Sequence, residues 1–518
     1  MSTYNNEVIY QIYPLTFNYA SGSKTDPYPS GAYGNLKGIT ALVDYVKSLG
    51  VDAIWITPFY CSGGRGFGYD ITDYCSIDPK YGDLDDFKEL CNVYHAKGIR
   101  VIIDQVYNHC SIKHEWFKKS VEGIAPYDKY FVWADPVMRN DKLSPPNNWR
   151  SIWDGLGESA WTFHPTREQY YLHSFDWSMP NLNLNNPQVQ DAILKVSKFW
   201  LDLGVDGFRL DAVTHYACDE QLRDNPYYAD GVQKRLYDID SPNGAIFIER
   251  LKELCNSYPK PKTLLAEYSY DKSSEGLKKA LEIFRTSHCD AFFTGALNEH
   301  LGKFKQNIAD EFNVSPNGEK INWAFSNHDL ERAASRVFGV GITVQKTKML
   351  MSMLLTLPGS VCIYQGEELG LPNPCSIDKC KNPGNDPLNV WAKCNKAWDA
   401  GRAGFAMSDS WDDPSRNLAL RPAPIHYRYA VSRQKDDDSM LNFTRRMIRE
   451  RKNSIFNEYG KVHFLEYHGD EVYPYIRTNQ DGSVKILCIY NFSSHEAEVW
   501  YEGRRYYLEP ESWLHQKV

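Results

Sequence analysis

No apolar stretch in the 518-residue sequence approaches the roughly 20 residues that a membrane-spanning helix needs. The segment Met1-Ser2-Thr3-Tyr4-Asn5-Asn6-Glu7 carries neither the basic region nor the apolar stretch of a secretion signal. No basic stripe interrupts the net charge of −8, so neither nucleic acid nor a membrane surface is an expected partner. The 12 cysteines include no CxxC pair, and Cys375, Cys380 and Cys394 form only a loose cluster, short of a structural zinc site. Several others, such as Cys362 in Val361-Cys362-Ile363-Tyr364, sit in apolar runs as buried thiols do. These absences point to a cytoplasmic chain with reduced cysteines. Asn442-Phe443-Thr444 and Asn491-Phe492-Ser493 match the glycosylation pattern, which carries no weight without a secretion signal. Also missing are a Gly-x-Gly-x-x-Gly after the first strand, a phosphate-cradling loop, and a Ser or Cys nucleophile elbow.

What is abundant is aromatic surface, with 14 Trp and 35 Tyr. Flat rings with hydrogen-bonding edges suit the apolar faces and hydroxyls of sugars. Short β-prone segments alternate with helical ones: Val8–Tyr13, Asp52–Thr57, Arg100–Asp104, Val205–Asp211, Thr263–Glu267, Asp290–Phe293, Asn322–Ser326 and Ser360–Tyr364. Eight such repeats fit a closed (β/α)8 TIM barrel better than an open doubly wound sheet. Between Asn108 and Trp177 the rhythm breaks over a stretch too long for an ordinary loop, which reads as an inserted subdomain after the third strand. After a last helix near Ser439–Ser454 the pattern turns β-rich, predicting a C-terminal antiparallel β domain. The expected division is barrel 1–108, insertion 109–177, barrel 178–458 and β domain 459–518.

In such barrels chemistry sits where the strands end. Here those ends carry Gly68-Tyr69-Asp70, Asp104-Gln105-Val106-Tyr107-Asn108-His109, Gly207-Phe208-Arg209-Leu210-Asp211, Ala266-Glu267 and Asn327-His328-Asp329. Arg209 and Asp211 are two apart on one strand and share a face, so the guanidinium favours the ionised carboxylate a nucleophile requires. Alone, the pair reads equally well as a buried ion pair that only packs. Carboxylates and histidines converging from separate strands favour chemistry.

The last four of these rim segments resemble, in order, four motifs of the α-amylase family, glycoside hydrolase family 13, and the likeness covers nearly the whole chain from Val8-Ile9-Tyr10-Gln11-Ile12-Tyr13-Pro14 onward. The branch it looks most similar to is that of α-glucosidases and oligo-1,6-glucosidases. The resemblance implies a retaining α-glycosidase with Asp211 as nucleophile, Glu267 as general acid and base, and Asp329 holding ring hydroxyls. It further implies that Asp70, His109 and His328 bind the innermost sugar, with Tyr69 beneath the ring and Arg209 orienting Asp211. Trp153 and Phe175 stand as pocket-lining aromatics. Short α-glucosides are the implied substrate, cleaved in exo fashion, with α-1,4 linkages favoured by Ala212 after the nucleophile. A transglycosylase or isomerase on the same intermediate, a glycosidase for a different or substituted sugar, and a non-catalytic homologue are the alternatives. No cofactor is expected, and the sequence leaves the oligomeric state open.

Three departures from the family pattern stand out. The stretch Phe17-Asn18-Tyr19-Ala20-Ser21-Gly22-Ser23-Lys24-Thr25-Asp26 is too poor in acidic groups for the branch's metal loop, so no metal is expected there. A calcium between barrel and insertion, with Asn108 as one ligand, stays open. Ala406 falls where the branch has an arginine that pairs with the aspartate at Asp70's position, with Arg402 and Arg421 as possible substitutes. Met179 stands where a glutamine is usual, and a thioether cannot donate a hydrogen bond.

Overall fold

Eight short parallel strands close on themselves in the computed structural model: β1 (Val8–Ile12), β2 (Ala53–Ile56), β3 (Arg100–Gln105), β4 (Gly207–Leu210), β5 (Thr263–Glu267), β6 (Ala291–Gly295), β7 (Ile321–Ala324) and β8 (Ser360–Tyr364). β8 pairs with β1 in parallel, Ile9 beside Cys362, which closes the ring. The residues described are 6–20, 33–152, 158–260, 262–268, 289–295, 301–373, 402, 404–409 and 424–518. Alternation along each strand sends Ile9, Ala53, Trp55, Ile102, Leu265, Ala324 and Cys362 into the barrel interior. Their neighbours Val8, Tyr10, Ile54, Val101 and Phe208 join the larger layer beneath the helices. The strands with described side chains are therefore mostly apolar and buried on both faces.

Helix boundaries follow the local chemistry. The helix Leu84–Ala96 starts at Asp83, whose carboxylate accepts from the Asp85 and Asp86 amides while Asp86 returns the bond. The helix Pro187–Asp202 begins with proline after Asn186, whose side chain accepts from the Gln188 amide. Gly204, at φ 105°, then turns the chain toward β4. Between β1 and β2 the chain forms two helices, Leu36–Ala41 and Val43–Leu49, separated at Leu42.

The stretch between β3 and the helix Pro187–Asp202 holds a three-stranded antiparallel sheet (Trp133–Ala134, Gln169–Leu172, Trp161–His164) and a small hairpin (Val137–Arg139 with Lys142–Ser144). Bridges from His109 to Asn181 and from Phe131 to Leu182 anchor it at the end of β3. At the far end of the chain lies a four-stranded antiparallel sheet of Val462–Phe464, Val472–Thr478, Lys485–Asn491 and Ser512–Lys517, with a two-stranded ribbon. The strand Ser512–Lys517 is harder to read from sequence because Trp513 and Leu514 are only half-buried among polar residues and its last two residues are exposed. Arg477, fully buried, donates to the carbonyls of Thr356 and Ile455 and ties this sheet to the barrel.

Among the described residues no helix is long and apolar enough to cross a membrane. The cysteines described are free thiols, and only Cys61 and Cys75 are partly exposed. The loose cluster Cys375, Cys380 and Cys394 lies outside the described residues.

Candidate active site

Arg209 is fully buried in β4, and the sheet register sets it beside Asp104 on β3. Its Nη1 lies 2.7 Å from Asp211 Oδ1 and 3.1 Å from Asp104 Oδ1, and its Nη2 lies 2.9 Å from Glu267 Oε2. The Trp55 ring backs the guanidinium at 5.0 Å, and its Nε1 donates to Asp104 Oδ2. One cation thus faces carboxylates from three strands. Arg209 does not serve Asp211 alone, as the sequence suggests. Its charge is divided among three carboxyl groups, two of them deeply buried. Burial and the Glu267 carboxylate push Asp211 well above the ordinary carboxylate range, against the pull of Arg209. Burial likewise raises Asp104, to about 6, despite the same guanidinium.

A consequence is open to measurement. Asp104→Asn removes one negative neighbour, which favours ionisation of the remaining carboxyls. The pH–activity profile should move to lower pH by roughly one unit, alongside a loss of kcat from the misplaced guanidinium. An unshifted profile would show that Asp104 is electrically silent.

The backbone past β4 serves the same cluster. Asp211's amide donates to the Gln105 carbonyl at 2.9 Å, extending the ladder by one residue. Ala212 then adopts φ 47°, a conformation that L-residues seldom take, and its amide donates to Glu267 Oε2 at 2.9 Å. The Asp211 side chain keeps 11 % exposure, against 31 % for Glu267 and 30 % for Asp329, so the last two stand more open at the rim.

A hydrogen-bond chain runs from Asp104 to the end of β7. Tyr69 Oη donates to Asp104 Oδ2 at 3.0 Å and meets His328 Nε2 at 2.5 Å. Gln11 on β1 donates its amide to His328 Nδ1 at 2.8 Å, so Nε2 carries the imidazole proton. The Tyr69 and His328 rings lie parallel, 6° apart. Asp329 Oδ2 sits 3.2 Å from His328 Nε2, and its Oδ1 sits 3.1 Å from Arg402 Nη2.

His109 and His215 flank Phe175 at 5.2 and 5.4 Å, and the Nε2 of each is buried with no partner among the described residues. Burial drops both imidazoles to about 3 and holds His328 well below its usual range. All three are neutral at ordinary pH. The pH dependence of activity should therefore keep both its limbs in His109→Asn, while kcat/KM falls on the order of 10²-fold.

Other expected residues lie elsewhere. Asp70, 1 % exposed, turns into its own loop and accepts from the amides of Arg65 and Gly66 at 3.0 and 3.2 Å. No arginine is paired with it among the described residues. Ala406 is fully buried, with its carbonyl bonded to the Val431 amide. Met179 is fully buried too, and its Cε occupies the space a side chain at Gly66 would need. It is packing rather than a sugar contact. Asn108 lies at 3.2 Å from His109 Nδ1 and 3.5 Å from Asn181 Oδ1. Trp153, Arg421 and residues 21–26 of the first loop lie outside the described residues.

Asp104, Gln11 and Trp55 join the site beyond the residues that the sequence marks as binding or catalytic, and Arg402 joins it beside Asp329 rather than Asp70. A polar glutamine in the apolar run of β1 and a tryptophan in the aliphatic β2 are the available signals for Gln11 and Trp55.

The family model for the alpha amylase catalytic domain matches residues 11–460. A probable alpha-glucosidase of Rhizobium meliloti is 36 % identical over 97 % of this chain and 91 % of its own length. The trehalose-6-phosphate hydrolase of Escherichia coli is 32 % identical over 97 % of this chain and 92 % of its own. The crystal structure of XgtA, an alpha-glucosyl transfer enzyme, superposes with a TM-score of 0.86 at 33 % identity, covering 99 % of both chains. Barrel, rim carboxylates and full-length relatives agree: the chain belongs to the alpha-amylase family of glycoside hydrolases.

Proposed function

We propose that this protein is a retaining α-glucosidase of the cytoplasm, acting on short α-glucosides one sugar at a time, with α-1,4 linkages preferred. The observation that carries the mechanism is the Arg209 guanidinium, which contacts Asp211 and Glu267 through its two terminal nitrogens. One fork spanning both carboxylates keeps them close. Retaining enzymes need a gap of about 5–5.5 Å, whereas inverting ones leave about 6.5–9.5 Å for a water.

In this reading Asp211 attacks the anomeric carbon as Glu267 gives its proton to the departing oxygen. Glu267 then takes a proton from water, and hydroxide equivalent displaces Asp211 from the same face the aglycone left. Asp329 holds ring hydroxyls and favours the flattened, oxocarbenium-like sugar. Tyr69, His109, His328 and Phe175 wall the innermost subsite, the histidines as neutral hydrogen-bonding groups. The same reading divides the chain into barrel (1–108 and 178–458), insertion (109–177) and β domain (459–518).

Transfer to a sugar hydroxyl instead of water is the second reading, favoured by the full-length likeness to an alpha-glucosyl transfer enzyme. One experiment addresses both. Maltose, maltotriose, isomaltose, sucrose, trehalose 6-phosphate and aryl α-glucosides are incubated with the enzyme, and products are followed by proton NMR from the first turnover. Release of α-glucose from maltose supports the retaining hydrolase. New disaccharides in place of glucose select the transferase, and β-glucose as first product sinks the retaining mechanism.

A further inference from the structure

Arg402 lies on no barrel strand, yet it is 4 % exposed and reaches the rim. Its Nη2 is 3.1 Å from Asp329 Oδ1, and its Nε donates to the His328 carbonyl at 2.9 Å. It is the one cation paired with Asp329 among the described residues. The guanidinium is stacked 4.0 Å from the Phe67 ring. That ring is presented by a strained turn: Phe67 has φ 51° between Gly66 and Gly68, an unusual conformation for an aromatic residue. The turn is held by Asp70, which accepts from the amides of Arg65 and Gly66. Strain kept in place by a buried carboxylate marks a position where geometry matters.

We propose that Arg402 is the positioning residue for Asp329, braced by Phe67 on the Asp70-anchored turn. Resting on the reading of Asp329 as a sugar ligand, this assigns Asp70 the role of loop anchor rather than substrate contact. Arg402 takes one carboxylate oxygen and fixes the Asp329 rotamer, with His328 Nε2 lying 3.2 Å from the other oxygen. Being neutral, His328 lends Asp329 no charge, and Arg402 supplies both the hydrogen bond and the countercharge. Phe67 covers one face of the guanidinium, sheds water from it, and so strengthens its pairing with Asp329.

The test compares Arg402→Ala, Arg402→Lys and Phe67→Leu with Asp329→Asn on an aryl α-glucoside. Arg402→Ala should lose about 10²-fold in kcat with KM changed far less, and sub-denaturing guanidinium chloride should restore about a tenfold part of it. Arg402→Lys should keep a charge without the fork, fall between the two, and gain nothing from guanidinium. Phe67→Leu should lose about five- to tenfold in kcat. Wild-type kcat in Arg402→Lys and Arg402→Ala overturns the proposal, as does a folded Arg402→Ala enzyme that guanidinium cannot rescue. If Arg402→Ala does not fold, Arg402→Lys decides: reduced kcat supports the proposal and unchanged kcat overturns it. Full activity of Asp329→Asn would instead refute the underlying reading of Asp329.

Discussion

Asp211→Asn should abolish turnover, by a factor on the order of 10⁴ or more, and should raise the melting temperature. Loss of activity follows because an amide cannot form the glycosyl ester, and no second carboxylate occupies the same end of β4. The gain in stability follows from the charge balance. Asp211, Asp104 and Glu267 share Arg209, and burial together with Glu267 raises the Asp211 carboxyl above its ordinary range. A carboxyl whose folded pKa is raised costs stability once the pH exceeds its unfolded pKa, because the native state resists ionisation. Removing it relieves that cost at neutral pH, and a rise of about 1–3 °C is the expected size for a chain of this length. Differential scanning calorimetry beside the activity assay separates this from unfolding. An inactive variant with a markedly lower melting temperature would assign Asp211 to structure.

Glu267→Ala should be nearly as damaging for natural substrates but not for all. Without the proton donor, hydrolysis of maltose should fall by about 10³–10⁴-fold, while aryl glucosides with acidic phenols, which need no proton, should lose much less in the first step. The glycosyl enzyme would then accumulate, since no base activates water. Azide needs no base, so it should restore turnover and yield the α-glucosyl azide, formed on the face the aglycone left. A β-azide, or equal losses on every leaving group, would move the acid–base role to another residue.

How much of this was legible beforehand depended on range. The strands and the motifs at their ends are local, and β-prone runs with polar caps disclose them. The helix Leu84–Ala96 likewise carries its own local signals, apolar spacing after a capping aspartate. Ser512–Lys517 does not, because its partner Lys485–Asn491 supplies the pairing that its own half-buried residues do not advertise. In the site, Arg209 and Asp211 are neighbours in sequence and were readable as a pair. Asp104 beside Arg209 is a matter of register between β3 and β4, which no single strand records. Arg402 reads from sequence as a substitute partner for Asp70, but the choice between Asp70 and Asp329 rests on contacts across more than seventy residues. Asp70 itself reads as a rim carboxylate until its loop is seen to close on it.

The central claim is that Asp211 becomes covalently glycosylated. Incubation with 5-fluoro-α-glucosyl fluoride, followed by proteolysis and peptide mass spectrometry, tests it most directly. The account predicts one fluoroglucosyl group on the peptide bearing Gly207-Phe208-Arg209-Leu210-Asp211, fragmenting to Asp211, and none in Asp211→Asn. A label on Glu267 or Asp329, or steady turnover without a covalent adduct and with β-glucose released, would contradict it.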